Sequence, residues 1–161
     1  MKRLTVSKLT LDLENMFYSL NKDEKDRFLN SLDFYLDMKE EVEWGSNVKR
    51  GDICLFDFGL LQKRECAYPH VALVLKRSNT KLFVVPMTSK QDRVEEGKQF
   101  GETWTSHILT HHFDGLEKPS ALFLDDGKWI SQSRFIEKKG QIDTSSEIFK
   151  WIRNEAIELI F

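Results

Sequence analysis

The chain has 161 residues, of which 40% are hydrophobic and 31% are charged. This size and composition suit one globular domain with a sizeable core, alone or with an appendage, and exclude a disordered chain. The net charge of −2 lacks the overall basic character of many nucleic-acid-binding domains, so any nucleic-acid site must be a local patch. Two cysteines, Cys54 and Cys66, predict no disulfide framework and favour a reduced cytoplasm.

Membrane and secretion signals are not found in the sequence. No apolar run approaches the ~20 residues that a membrane span needs. The N-terminus lacks the apolar stretch of a signal peptide. We therefore expect a cytoplasmic protein without a membrane partner.

The N-terminal part of the chain is predicted to be helical. Residues 7–44 carry two consecutive apolar stripes at helical spacing. Asn21 followed by Glu24 fits a capping box that starts the second helix. We therefore predict a helical hairpin over residues 1–47, as a domain separate from residues 48–161.

From Val48 the pattern changes to short β-rich runs. Residues 78–80 are a turn candidate, and residues 88–104 are polar and predicted to be a loop. Thr144 with Glu147 fits a capping box for a final helix. The predicted strands lie at 53–56, 71–75, 82–85, 106–113, 120–125 and 128–136.

An ordered series of short segments runs through residues 48–161. These segments are Lys49-Arg50-Gly51-Asp52-Ile53, Val71-Ala72-Leu73-Val74-Leu75, Val84-Val85-Pro86-Met87-Thr88-Ser89, Ser120-Ala121-Leu122-Phe123-Leu124-Asp125, Trp129-Ile130 and Arg134-Phe135. In this order and spacing they resemble the MazF/PemK toxin family. The resemblance implies an α+β fold: a small, twisted PemK-like (SH3-like) β-barrel with a C-terminal helix, here preceded by the helical hairpin.

The resemblance also implies a function. MazF/PemK members are toxins of toxin–antitoxin pairs that cleave single-stranded RNA without metal, by attack of the ribose 2′-hydroxyl on the adjacent phosphate. Such a reaction needs a base, a donor for the charge that develops on phosphate, and an acid for the leaving 5′-oxygen. We therefore expect an endoribonuclease without a cofactor, a homodimer, and a protein antitoxin that covers the RNA groove.

Four residues match catalytic positions of the family. Thr88 matches a threonine whose hydroxyl holds a phosphate oxygen, Glu65 matches a loop glutamate, and Asp125 matches an acidic position used by some members. Many members place their main catalytic arginine just before the second strand, and His70 occupies that position here. Histidine can act as an acid or a base near neutral pH.

A second group consists of candidate RNA-binding residues. These residues are Lys63, Arg64, Ser89, Lys128 and Arg134. Each candidate also has an ordinary structural interpretation: His70 as a strand cap, Thr88 as a local hydrogen-bonding residue, and the charges as solvated surface groups. His107 and His111 share a strand face, but no cysteine or carboxylate is placed beside them, so we expect no metal site.

Two questions remain open in the sequence. The rival function is a non-catalytic RNA- or protein-binding member of the same fold, and inhibition of DNA gyrase is a third class. Residues 1–47 contain ten acidic and seven basic side chains, so the hairpin is net negative. We expect its apolar stripes to be buried on the barrel; the alternative is that it restrains access to the RNA groove.

Overall fold

The computed structural model describes residues 5–37, 47–59, 66–99 and 107–160. The helices are α1 (Val6–Ser19), α2 (Lys22–Asp37), α3 (Gln91–Glu96) and α4 (Glu147–Ile160). The strands are β1 (Asp52–Asp57), β2 (Pro69–Ser78), β3 (Lys81–Thr88), β4 (Lys98–Gln99), β5 (Ile108–His111), β6 (Ser120–Phe123), β7 (Lys128–Ser131) and β8 (Phe135–Gln141).

The described strands form one sheet in the order β4-β5-β6-β3-β2-β1-β8, with β7 paired to the other half of β3. All neighbours are antiparallel except the short β4–β5 pair. The α+β class with an antiparallel sheet and a C-terminal helix is therefore confirmed. Among the described strands no pairing joins β4 to β8, so closure into a barrel stays a prediction.

The β2–β3 hairpin is the longest pairing and forms the centre of the sheet. Its turn lies at Asn79-Thr80, and Asn79 adopts a left-handed conformation with φ 52°, as asparagine tolerates in tight turns. A bulge between Val74 and Lys76 adds local twist to the hairpin. The turn predicted at residues 78–80 is confirmed.

Alternating residues of the central strands pack into two cores on opposite faces of the sheet. The larger core packs against α4, where Phe149, Ile152 and Ala156 are fully buried. The second core contains Val48, Cys54, Phe56, Ala72, Val74, Leu82, Val84 and Ile130. Because both faces of the central strands are buried, these strands read as short continuous apolar runs in the sequence and could be predicted from them.

Three local predictions are wrong. The loop expected at residues 88–104 contains α3 and β4, and the single strand expected at 128–136 is two strands interrupted by a 3₁₀ turn. Helix α4 begins at Glu147, and the Ser146 hydroxyl accepts a hydrogen bond from Phe149 N at 3.3 Å. Ser146, two residues after Thr144, is therefore the residue that caps the helix.

The two helices of the predicted hairpin are confirmed within residues 5–37, whereas residues 1–4 and 38–46 of the predicted segment lie outside the described residues. The expected burial of the apolar stripes is wrong. Asn21 and Glu24 exchange the two capping-box hydrogen bonds at 3.0 Å, and Phe17 packs on Phe28 with ring centroids 6.0 Å apart. Most apolar side chains of both helices nevertheless stay exposed, although Phe17, Phe28 and Phe34 are half-buried, because only one face of α2 meets the sheet. The exposed residues are Val6, Leu9, Leu11, Leu13, Met16, Tyr18, Leu29, Leu32, Tyr35 and Leu36.

Both cysteines are free thiols. Burial raises the pKa of Cys54 and of Cys66 to about 12, so neither is a reactive thiolate at neutral pH. Within the described ranges, no helix has the length and apolarity to cross a membrane.

Candidate active site

A cleft of about 460 Å³ opens where β3 ends. Met87 pairs with Leu122 and Thr88 with Ala121 of β6, so the end of β3 is held inside the sheet while Ser89 leaves it. The cleft is lined by Val71, Met87, Thr88, Ser89, Gly115, Leu116, Glu117, Lys118, Ser120 and Lys139. Two sequence candidates, Thr88 and Ser89, therefore lie together on one concave surface.

A tight turn between β5 and β6 forms the opposite wall of the cleft. Gly115 has φ +86°, and a Cβ at this position would lie 3.1 Å from Gly140 Cα of β8. Leu116 N donates to the Phe113 carbonyl at 3.1 Å, and Phe113 is buried in the core. The anchored turn carries Lys118 to the cleft, although Lys118 itself remains exposed.

The polar side chains of the cleft are three hydroxyls, two lysine ammonium groups and the Glu117 carboxylate. Thr88 Oγ1 accepts a hydrogen bond from Lys90 N at 3.3 Å, and Ser89 is exposed. Lys139 Nζ forms an ion pair with Glu137 Oε2 at 2.5 Å on the surface. Hydroxyl donors beside lysine ammonium groups suit the oxygen atoms of a phosphate.

His70 and Thr88 lie at adjacent strand ends, each one residue beyond the last β2–β3 pair. Val71 pairs with Met87, so His70 and Thr88 are the next residues along β2 and β3. His70 is half-buried and does not line the cleft. Because side chains alternate along a strand and the next residue, Val71, lines the cleft, the His70 ring lies on the opposite face of the sheet, with its β1 partner Phe56.

The His70 ring is partly desolvated. Burial lowers its pKa, nearby Arg27 and Lys90 lower it further, and hydrogen bonds with the backbone at Ala67 and Tyr68 oppose them. Its buried Nδ1 atom has no hydrogen-bond partner. The ring is therefore favoured in the neutral form, which can accept a proton.

Three other candidates lie away from the cleft. Asp125 is exposed in a 3₁₀ turn after β6. Lys128 Nζ lies 2.8 Å from Asp126 Oδ1, and Arg134 Nη1 donates to the Asp57 carbonyl at 2.9 Å. Lys128 and Arg134 therefore have structural partners near the start of the β1–β2 connection, and none of the three candidates lines the cleft.

The β1–β2 connection holds the remaining candidates. Lys63, Arg64 and Glu65 lie outside the described residues. Cys66, the next described residue, donates its backbone N–H to Asp126 Oδ2 at 3.0 Å. Of the two adjacent carboxylates, Asp125 is therefore exposed, whereas Asp126 anchors the β1–β2 connection through Cys66.

The histidines after β4 are not arranged as a metal centre. His107 is exposed, whereas His111 packs on Phe113 with ring centroids 4.8 Å apart. Burial lowers the pKa of His111, and His112 lowers it further. The described parts of the chain contain no group of three or more His, Cys, Asp or Glu side chains that could hold a metal ion.

Sequence reasoning missed Lys118, Ser120 and Lys139 as cleft residues. Lys118 precedes Pro119 at the start of a strand, and Lys139 belongs to a strand longer than the one predicted. A lysine beside a strand is common on any surface. Only the close approach of the Gly115 turn to Gly140 brings the two lysines to one cleft.

Similarity to known proteins is found among solved structures. No family model matches the sequence, and no curated protein matches it either. Among solved structures, the chain is similar to the Mycobacterium tuberculosis toxin MazF-mt6, with 16% identity, a TM-score of 0.43, and coverage of 68% of this chain and 99% of that one. These values are too low to transfer an activity to this chain.

Proposed function

We propose that the protein is the toxin of a toxin–antitoxin pair and a metal-independent endoribonuclease that cleaves single-stranded RNA. The observation that supports the proposal is that His70 and Thr88 lie at the adjacent ends of β2 and β3, and that Thr88 also lines a cleft containing Ser89 and two lysines. A neutral imidazole together with hydroxyl and ammonium groups provides the base and the phosphate contacts that the reaction needs.

In the proposed reaction, His70 takes the proton of the ribose 2′-hydroxyl. The 2′-oxygen attacks the adjacent phosphorus, and the bond between phosphorus and the 5′-oxygen breaks. The leaving oxygen receives a proton, so the products are a 2′,3′-cyclic phosphate and a free 5′-hydroxyl. Thr88 and Ser89 hold the phosphate oxygens while negative charge develops on them.

The remaining site residues are assigned less direct roles. Glu65 is proposed as the second proton-transfer group, and Lys63 and Arg64 as positive charges for the phosphate backbone. Asp125 is proposed as a further acidic group. Lys128 and Arg134 are proposed to contact RNA beyond the cleft. Phosphate contacts of this kind hold the RNA in register without selecting a base sequence.

The proposed partners follow from the family resemblance. They are single-stranded RNA, a cognate protein antitoxin that covers the RNA groove, and a second copy of this chain. The proposed location is the cytoplasm, where the RNA substrate and the antitoxin are present.

A second candidate function is RNA binding without cleavage. The specific observation in its favour is that His70 is half-buried and absent from the cleft lining, whereas Ser89 in the cleft is exposed. A protein of this kind would bind RNA through the cleft and leave it intact. Protein binding on the same surface is the other form of this rival.

The test compares Thr88→Ala and Lys118→Ala with the control Lys81→Ala, which removes an exposed lysine at the far end of β3. We expect Thr88→Ala to lower the cleavage rate about 10²-fold, the scale of losing one oxyanion donor. Lys118→Ala should weaken RNA binding and reduce the slope of log affinity against log salt by about 0.7, the value for one single-strand phosphate contact. Lys81→Ala should change neither quantity.

The outcomes separate the two candidates. Cleavage that depends on Thr88 supports the ribonuclease. Binding that depends on Lys118, without cleavage by any variant, supports the non-catalytic rival. Cleavage that is unchanged in Thr88→Ala contradicts the proposed site.

A further inference from the structure

Helix α2 lies against the end of the sheet that carries His70. The buried and half-buried residues of this helix include a stripe at helical spacing: Glu24, Arg27, Ser31 and Phe34. Positions three and four apart share one helix face. This face, rather than the more apolar one, is the face that α2 turns toward the sheet.

The centre of the contact is a buried polar pair. Ser31 Oγ lies 2.9 Å from Asp57 Oδ1 and 2.8 Å from Oδ2, and each residue is only 3% exposed. The hydroxyl has a single proton to donate. The Asp57 carboxylate also accepts a hydrogen bond from Gly59 N at 2.8 Å, so its burial depends on donors from both α2 and the segment that follows β1.

The pair lies beside His70 in the sheet. Asp57 is paired with Pro69, and the preceding residue of β1, Phe56, is paired with His70. Arg27 is close enough to act electrostatically on the His70 ring. Ser31 and Arg27 therefore place α2 against the end of the sheet where the proposed base lies.

We propose that α2 is a lid, latched by Ser31 and Asp57, that closes access to His70 and so holds the protein in an inactive state. This regulatory role rests on the proposed ribonuclease function. The latch is a hydrogen bond, and α1 and α2 leave most of their apolar side chains exposed. A contact with so little apolar burial opens at low free-energy cost relative to unfolding of the sheet.

The test measures access to His70 directly in the full-length protein. Diethylpyrocarbonate reacts with accessible imidazole rings, and mass spectrometry of peptides gives the rate at His70, with exposed His107 as the internal reference. Ser31→Asp places a second carboxylate against Asp57 and should open the lid. The matched control Asn30→Asp adds the same charge at the neighbouring exposed position.

We expect Ser31→Asp to raise the His70 modification rate at least about tenfold, the scale of losing a hydrogen bond to a charged group, and to raise RNA cleavage in parallel. Asn30→Asp should change neither rate. The double variant Ser31→Asp with Asp57→Ser exchanges the hydroxyl and the carboxylate, and should restore slow modification. This recovery distinguishes opening of the lid from general unfolding of the chain.

Each result has a defined meaning. An unchanged His70 rate in Ser31→Asp, or failure of the double variant to restore it, overturns the lid. Faster modification without faster cleavage, in a protein that does cleave RNA, overturns the inhibitory role. If no variant cleaves RNA but the His70 rates follow the expected pattern, the lid stands and the proposed ribonuclease function fails.

Discussion

Ser31 of α2 and Asp57 of β1, 26 positions apart in the chain, share a buried hydrogen bond of 2.8 Å. The contact attaches the helical hairpin to the sheet through a polar group rather than through its apolar stripes. An unpaired buried carboxylate is costly, so the position of the hairpin depends on this pair.

The first prediction concerns the stability of this attachment. Ser31→Ala removes the hydroxyl donor and leaves part of the Asp57 carboxylate unsatisfied, which should lower the free energy of unfolding by about 1–3 kcal/mol. Denaturant unfolding monitored by circular dichroism measures the change. Ser19→Ala is the control, because its hydroxyl bonds to the Met16 carbonyl on an exposed helix surface, and it should stay within about 0.5 kcal/mol of the wild type.

A second prediction concerns pH. Because burial lowers the pKa of His70 in the folded protein, the unfolded chain binds more protons below about pH 6.5, the ordinary pKa of histidine. Stability should therefore be highest above pH 6.5 and should fall as the pH decreases through the lowered folded pKa. His111 contributes in the same direction.

The measurement is the denaturant midpoint between pH 8 and pH 5 for the wild type and for His70→Gln. The variant cannot take up a proton at this position, so its midpoint should fall less over that range. An equal fall in both proteins would show that protonation of His70 does not contribute to acid destabilisation.

The third prediction tests the packing of α4. Phe149 is fully buried in the larger core, whereas Ile157 of the same helix is 46% exposed. Phe149→Ala should cost about 3–5 kcal/mol through lost burial and a residual cavity, and Ile157→Ala should cost well under half as much. Similar losses in both variants would mean that α4 is not seated on the sheet as described.

Gly51 is the subject of the fourth prediction. It has φ +89°, and a Cβ there would lie 2.7 Å from the Ile142 carbonyl oxygen. Gly51→Ala should destabilise the protein by more than about 1 kcal/mol, because alanine disfavours this conformation and the backbone leaves no space for its methyl group. Thermal unfolding measures the effect, and an unchanged melting temperature would contradict the described turn.

Much of the fold was predictable because local signals and burial agree. The Asn21–Glu24 capping box forms as expected, and the apolar runs of β1, β2 and β3 are core strands. The division of residues 128–136 into two strands was missed, because a 3₁₀ turn inside a β-rich run leaves no break in composition. The exposed helix stripes were missed because apolar periodicity shows which face can be buried, not whether a partner surface exists.

The candidate site was predictable only in part. The order of segments placed His70 and Thr88 in neighbouring strands, as the sheet register has them. Lys118 and Lys139 come from parts of the chain that only the folded sheet brings together. Asp125 is four positions after Ala121, the partner of Thr88, so roughly 10 Å of chain separates it from the cleft.

The most direct test of the central claim is end-group analysis of RNA incubated with the purified full-length protein in EDTA, alongside Thr88→Ala. The account predicts fragments that end in a 2′,3′-cyclic phosphate and begin with a 5′-hydroxyl, formed about 10²-fold more slowly by the variant. Cleavage that requires added divalent metal, or fragments that begin with a 5′-phosphate, would contradict the proposed attack by the ribose hydroxyl.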